Sequence, residues 1–164
     1  MTTLRPELEA VEAAIGDPSL GIPEDVLRFI SRLVPQVNVD LLIRDERGRT
    51  LLTWRDDDLF GPGWHLPGSL IRYKESAAAR VRACAVDELG ADVSADAAPM
   101  FVNEAISPQQ TRGHHVSLLY RCRLLSDPDP AREAGSVPRP GDWRWHHGAP
   151  TDLIAIHRPY AAFM

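Results

Sequence analysis

Asp87 and Glu88 are adjacent carboxylates near the C-terminal end of the run SAAARVRACAVDEL, which follows Pro67-Gly68-Ser69 at a loop's length. A helix C-terminus carries the negative end of the macrodipole, where each carboxylate is unfavourable by about 0.3–1 kcal/mol, and a bound cation reverses that penalty. Gly68 follows a strand-like segment and offers a backbone carbonyl that no Cβ shields. One carbonyl with Glu88 and Asp87 is the all-oxygen donor set that Mg²⁺ takes, waters and substrate phosphate oxygens completing the octahedron; Mn²⁺ is the alternative ion. The chemistry indicated is metal-assisted work on a phosphorylated ligand. On helix position alone, the plain reading of the two carboxylates is a solvated helix end.

The elements that must position these groups can be read from spacing. Ser76 to Leu89 has high helix propensity, Ser76 as N-cap and Gly90 just past its end as C-cap. Val37, Val39, Leu41 and Ile43 alternate with Asn38, Asp40 and Leu42, and a turn at Asp45 to Arg49 leads to Thr50 to Arg55, which predicts a β-hairpin. A Gly/Pro-rich crossing at Phe60 to Trp64 enters His65 to Ser69 and then Leu70 to Tyr73. Met100 to Ile106 and Val116 to Leu124 read as strands, the second with Val116, Leu118, Tyr120, Cys122 and Leu124 on one face. Residues 125–141, rich in Pro, Asp and Gly, form a surface loop; Trp143 to His146 is a short strand and Asp152 to Met164 a closing helix. Upstream, Leu4 to Ile15 and Glu24 to Leu33 carry helical periodicity broken at Pro18 to Pro23, a leader expected to pack on the domain. The organisation is therefore a helical extension over residues 1–34 and one α/β domain over 35–164.

Composition limits the partners. The 164 residues are 44% hydrophobic and 25% charged, enough for one packed core. A formal charge of −5 argues against a basic face that neutralises many nucleic-acid phosphates, whereas one or two Arg residues and a metal can still hold a diphosphate. Cys84 and Cys122 fall in a helix and a strand far apart, so no disulfide framework is indicated. The N-terminus lacks a signal-peptide pattern, and no apolar stretch reaches membrane-spanning length; a cytoplasmic protein without a membrane partner is expected. Six histidines occur without HxxxH or CxxC spacing, which leaves little for zinc. Trp64, Tyr73, Trp143 and Trp145 could stack a base, although core or rim packing is the commoner use of such residues in strands. Arg72 is a candidate phosphate contact beside an ordinary surface role.

The stretch from Gly68 through Glu75 and Ser76–Arg82 to Ala83-Cys84-Ala85-Val86-Asp87-Glu88-Leu89-Gly90-Ala91 resembles the signature of the Nudix hydrolases: Gly, five residues, Glu, seven residues, Arg-Glu-apolar-X-Glu-Glu-X-Gly-apolar. The gap from Gly68 to Glu75 is six residues here, as in the GDP-mannose mannosyl hydrolases, which also carry an eroded box. Asn38-Val39-Asp40, Leu51-Leu52 ending at Arg55, Gly63-Trp64-His65-Leu66-Pro67-Gly68 and Trp143-Arg144-Trp145 extend that likeness from about Pro35 onward. The resemblance implies a Nudix α/β/α sandwich with a mixed sheet behind the N-terminal helical extension. It also implies a homodimer and hydrolysis of a nucleotide sugar, in which water attacks the anomeric carbon and the nucleoside diphosphate leaves. By position it assigns Gly68 and Glu88, with Asp87, to the metal, Arg55 to the departing diphosphate and Asp40 to the sugar site.

The departures are specific. Ala83-Cys84 stands where the box has Arg-Glu, Asp87 replaces the first of the later Glu pair, and Glu75 loses its usual Arg partner, for which Arg82 is the substitute expected. Before the late aromatic strand, Arg139 and Pro140 occupy the positions of a Gln ligand and a His base. Neither side chain can do that work. His114 is the replacement base the residues suggest, because imidazole titrates near neutrality and one of the neighbours His114 and His115 must face each side of a strand; Glu104 and Asp142 are comparable alternatives. Two other functions stay open: a Nudix-fold module that binds a nucleoside diphosphate or nucleotide sugar without turnover, and a pyrophosphohydrolase attacking phosphorus.

Overall fold

The structure is a computed structural model that describes residues 3–164; Met1 and Thr2, at the start of the expected extension, lie outside the described residues. Alternation in β1 (Gln36–Ile43) sends Val39, Leu41 and Ile43 to one side, where they are buried with Val81, Cys84, Ala85 and Leu89 of α3 (Ala77–Leu89), and sends Asp40 and Leu42 to the other. β7 (His114–Leu124) runs parallel to β1 from Gln36↔His115 to Ile43↔Cys122, and β4 (Gly68–Leu70) lies antiparallel on the other edge of β1. The remaining edge of β7 is shared by β6 (Phe101–Ile106) and the short β5 (Val93–Ala95). These five strands make a mixed sheet.

A second, antiparallel sheet has the order β3-β2-β8, from Gly63–His65, Thr50–Arg55 and Trp143–His146. The expected hairpin is therefore corrected: β1 and β2 touch through one bridge, Arg44↔Thr50, and then diverge into different sheets. The turn itself is as read, with the Asp45 carboxylate accepting from the backbone N–H groups of Arg47 and Arg49. The closing helix is also corrected. Residues Ala155–Phe163 form a 3₁₀ segment, the tighter form, around an internal Pro159 that cannot donate to an α ladder. With α3 on one face and this segment on the other, the layers are those of the expected α/β/α sandwich.

α3 has the caps read from sequence: the Ser76 hydroxyl accepts from the Ala79 N–H, and Gly90 closes the helix in the left-handed conformation. Glu75 pairs with the buried Arg80 at 3.5 Å, not with Arg82, which points to solvent. Residues 125–141 form the expected loop and are tied to the end of α3, the Asp129 N–H donating to the Leu89 carbonyl and the Trp143 indole to the Asp129 carbonyl.

Of the leader, α2 (Glu24–Ile30) ends at a buried Ser31, whereas α1 (Arg5–Ile15) buries no residue and leaves Leu4, Leu8 and Val11 exposed. The packing expected of α1 is not found, because its apolar stripe has no facing element among the described residues. Leu119 is fully buried beside Leu42, Leu52 and Leu66. Leu119→Ala should cost about 2–5 kcal/mol, measured as a fall in the urea midpoint with the slope unchanged.

Candidate active site

A cleft of about 570 Å³ opens where the two sheets, the end of α3 and the C-terminal segment meet. Arg55, Asp40, Gly68 and the adjacent pair Asp87 and Glu88 all line it. Arg72 and His114 do not. Arg72 sits on the exposed turn after β4, and His114 falls on the other face of β7, where it meets Glu104 at 3.1 Å. Strand alternation instead puts His115 and Ser117 in the cleft.

The other candidates sort by packing. Trp64 is buried edge-on against Trp54 and His146, Trp143 is in the core, Trp145 packs beside that core under Arg49, and Tyr73 is exposed outside the cleft. The aromatic rings that face the cleft are Trp54 and Phe60. Asp142 is buried and accepts from the Arg139 N–H, and Pro140 lines the cleft without a polar side chain.

Asp40 organises the floor. Its carboxylate accepts from the Tyr160 hydroxyl at 2.6 Å and from the Asn38 amide at 3.0 Å, with His157 Nε2 at 3.8 Å. Asn38 in turn accepts from the Ser117 hydroxyl at 2.8 Å, which ties β1 to β7. A Cβ on Gly68 would lie 2.5 Å from Asp40 Oδ1, so the glycine is required by the carboxylate beside it. Burial pushes the Asp40 pKa up to about 7, against the hydrogen bonds from Tyr160 and Asn38 that favour the anion.

Two buried histidines complete this wall. His157 Nδ1 accepts the Leu66 N–H at 3.0 Å, so in the neutral ring the proton is on Nε2, toward Asp40; burial, with the charges of His65 and Arg55, holds its pKa well below the usual value. His65 Nδ1 stands 2.7 Å from the Leu66 carbonyl and Nε2 3.1 Å from the Thr53 hydroxyl, and burial pushes its pKa down to about 4. The sequence reading missed both, since each is an isolated histidine whose partners lie elsewhere in the chain.

At the α3 end, Glu88 is half-buried, with the Thr53 hydroxyl at 3.3 Å from Oε2 and, among the described residues, no Lys, Arg or His nitrogen within ion-pair distance. Burial raises its pKa, opposed by that hydrogen bond and by the charge of Arg55. Asp87 is exposed and paired with Arg80 at 3.6 Å, and Arg132 donates to its backbone carbonyl. Two carboxylates, one of them desolvated, and a glycine line one cleft; carboxylate oxygens and a backbone carbonyl are hard donors of the kind that fit a divalent cation such as Mg²⁺. Arg55 donates through Nε to Asp57 at 2.6 Å and stacks over the Phe60 ring at 4.9 Å. This makes a rigid guanidinium facing the cleft.

With this geometry the chain can be set beside known proteins. No protein-family model matches it. It is 36% identical over 77 residues to the low-salt glycan biosynthesis protein Agl8 of Haloferax volcanii, and the match spans 47% of this chain and about half, 49%, of that relative's length. Among solved structures it is similar to a MutT Nudix hydrolase from Burkholderia pseudomallei (TM-score 0.60, 22% identity, 79% of this chain and 97% of that one). It is also similar to a possible asymmetric diadenosine tetraphosphate hydrolase from Jonesia denitrificans (TM-score 0.53, 25% identity, 69% and 77%). The chain has the Nudix fold.

Asp40 gives the site a pH signature. Its folded pKa near 7 lies above the ordinary 3.8, so the folded state binds the extra proton between those values and Asp40's contribution to stability is lost as pH rises from about 4 to 7. The histidines held below their usual range act in the opposite direction. We expect Asp40→Asn to gain stability relative to wild type as pH rises from 4 to 8, read as the difference between paired urea titrations; a difference that does not change with pH would show that Asp40 is ionised throughout.

Proposed function

We propose that the cleft is the active site of a Mg²⁺-dependent Nudix-type hydrolase that cleaves a nucleotide sugar, GDP-mannose-like in its chemistry, into free sugar and nucleoside diphosphate. The observation that carries this reading is the convergence of Gly68, Asp87 and Glu88 with Arg55 and Asp40 on one cleft of a Nudix fold. Gly68 and Glu88, with Asp87, would hold the ion. When bound it neutralises charge that builds on the leaving diphosphate.

The remaining roles belong to the chain. The Arg55 guanidinium, fixed by Asp57 and Phe60, binds the diphosphate oxygens as the bond from the anomeric carbon to oxygen breaks. Water oxygen bonds to that carbon and its proton passes to a base. Asp40, with a pKa near 7 and fixed by Tyr160 and Asn38, orients sugar hydroxyls. The homodimer that belongs to this reading would cover the exposed apolar residues Leu4, Leu8 and Val11 of α1.

A second reading, a binding module without turnover, is favoured by Pro140 on the cleft wall and by His114 outside it. A phosphorus-attacking pyrophosphohydrolase fits less well, because Cys84 stands where the box carries a Glu and is buried in the core.

Incubation of the protein with a panel of nucleotide sugars and Mg²⁺, products resolved by mass, separates the three. Free sugar with nucleoside diphosphate is the expected result, and Glu88→Gln should lower turnover by roughly a hundredfold or more. Sugar phosphate with nucleoside monophosphate would mean attack at phosphorus. Binding without product would leave the module.

A further inference from the structure

Of the arginines that line the cleft, Arg55 is paired with Asp57 and Arg132 with Asp129. Arg112 is different. No carboxylate oxygen among the described residues lies within 4.0 Å of it, and its Nε is buried without a hydrogen-bond partner. Glu24 and Asp57 are close enough to favour its charge, while burial and the nearby Arg55 and Arg28 oppose it. A guanidinium presents five donors in a planar fork matched to carboxylate or phosphate oxygens, so an unfilled one on a cleft wall points to a ligand anion.

The fold holds this residue deliberately. Arg112 has φ +56°, a conformation that non-glycine residues seldom adopt. Its N–H donates to the Ser31 hydroxyl at 3.0 Å, and that hydroxyl donates to the Arg28 carbonyl, so α2 and the residue after it fix the loop between β6 and β7. Gln109 ties the same loop to the Leu59 carbonyl, and a Cβ on Gly113 would clash with the Gln109 carbonyl oxygen. Beside Arg112, His115 lies against the Phe60 ring and is more than nine-tenths buried, with Nδ1 unpartnered. Its pKa is pushed down to about 4 by burial and by the Arg112 charge, so near neutrality it is an uncharged hydrogen-bonding group. Arg55 is common to the surroundings of Arg112 and Glu88.

We propose that Arg112 and His115 form a second anion subsite in the cleft, positioned by Ser31 of the N-terminal extension, which takes a phosphate or carboxylate of the ligand beyond the oxygens held by Arg55 and Glu88. The inference rests on the cleft being the nucleotide site. It narrows the substrate class to one with a further anionic group, such as a nucleotide carrying a third phosphate or a hexuronate.

Calorimetric titration of the full chain in Mg²⁺ with a nucleoside diphosphate, the triphosphate, a nucleotide hexose and a nucleotide hexuronate tests it. Wild type should bind the triphosphate or the hexuronate about tenfold or more tighter than its partner lacking the extra anion, and whichever is favoured identifies the source of the charge. Arg112→Gln should erase that preference while leaving diphosphate affinity within about twofold. Arg112→Lys, which keeps the charge without the fork, and Ser31→Ala, which frees the loop, should each reduce it and serve if Arg112→Gln does not fold. Equal affinity across the four ligands, or a preference unmoved in these variants, would overturn the subsite. Failure of wild type to bind any of the four would overturn the nucleotide site itself.

Discussion

A carboxylate buried where several elements meet must be satisfied, and Asp40 imposes that requirement on the rest of the molecule. Its oxygens take hydrogen bonds from Tyr160 on the C-terminal segment and Asn38 on its own strand, and Asn38 links onward to Ser117 of β7. The same carboxylate occupies the space a side chain at 68 would need, so β4 can pair with β1 only through a glycine. The glycine at 68 and the anchoring of the 3₁₀ segment through Tyr160 therefore follow from one group. Leaving any of these donors unmade would cost about 1–3 kcal/mol, more because the acceptor can be charged.

Around that floor, charge is distributed unevenly. Among the described residues Glu88 is desolvated without a cation and Arg112 without an anion, and Arg55 stands in the surroundings of both. Buried polar groups in folded proteins are normally paired. Two opposite, unpaired charges on one cleft are what a ligand with both a cation and several anionic groups would complete, which is the composition of a metal-bound nucleotide. Three neutral histidines, His65, His115 and His157, line the remaining wall and add hydrogen-bonding capacity without adding charge.

Much of this was legible in sequence where a period or a cap carries the information. α3 with Ser76 and Gly90, the alternation in β1 and β7, and the loop over 125–141 are local patterns, and local physics decides them. Asp45 to Arg49 is a genuine turn, but turn chemistry says nothing about whether the strands it joins stay paired, and here they separate into two sheets. Gly68, Asp87, Glu88, Arg55 and Asp40 line one cleft; the first three are gathered by a single strand–loop–helix whose spacing is visible in the sequence, whereas Arg55 and Asp40 reach it from β2 and β1. His157 and Arg112 left no such trace. Their roles depend on contacts with Leu66 and Ser31, which are 91 and 81 residues away in the chain. The parity of β7 could have separated His114 from His115, had the side facing the cleft been known.

In the proposed function, Glu88 and the Gly68 carbonyl hold a divalent ion in contact with a ligand diphosphate. Crystals grown with Mn²⁺ and a nucleoside diphosphate, with data collected at the manganese edge, test it most directly. An anomalous peak is expected within coordination distance of Glu88 and the Gly68 carbonyl, bridged to diphosphate oxygens that also contact Arg55. A diphosphate bound in the cleft with no metal at Glu88, or a metal elsewhere on the chain, would contradict it.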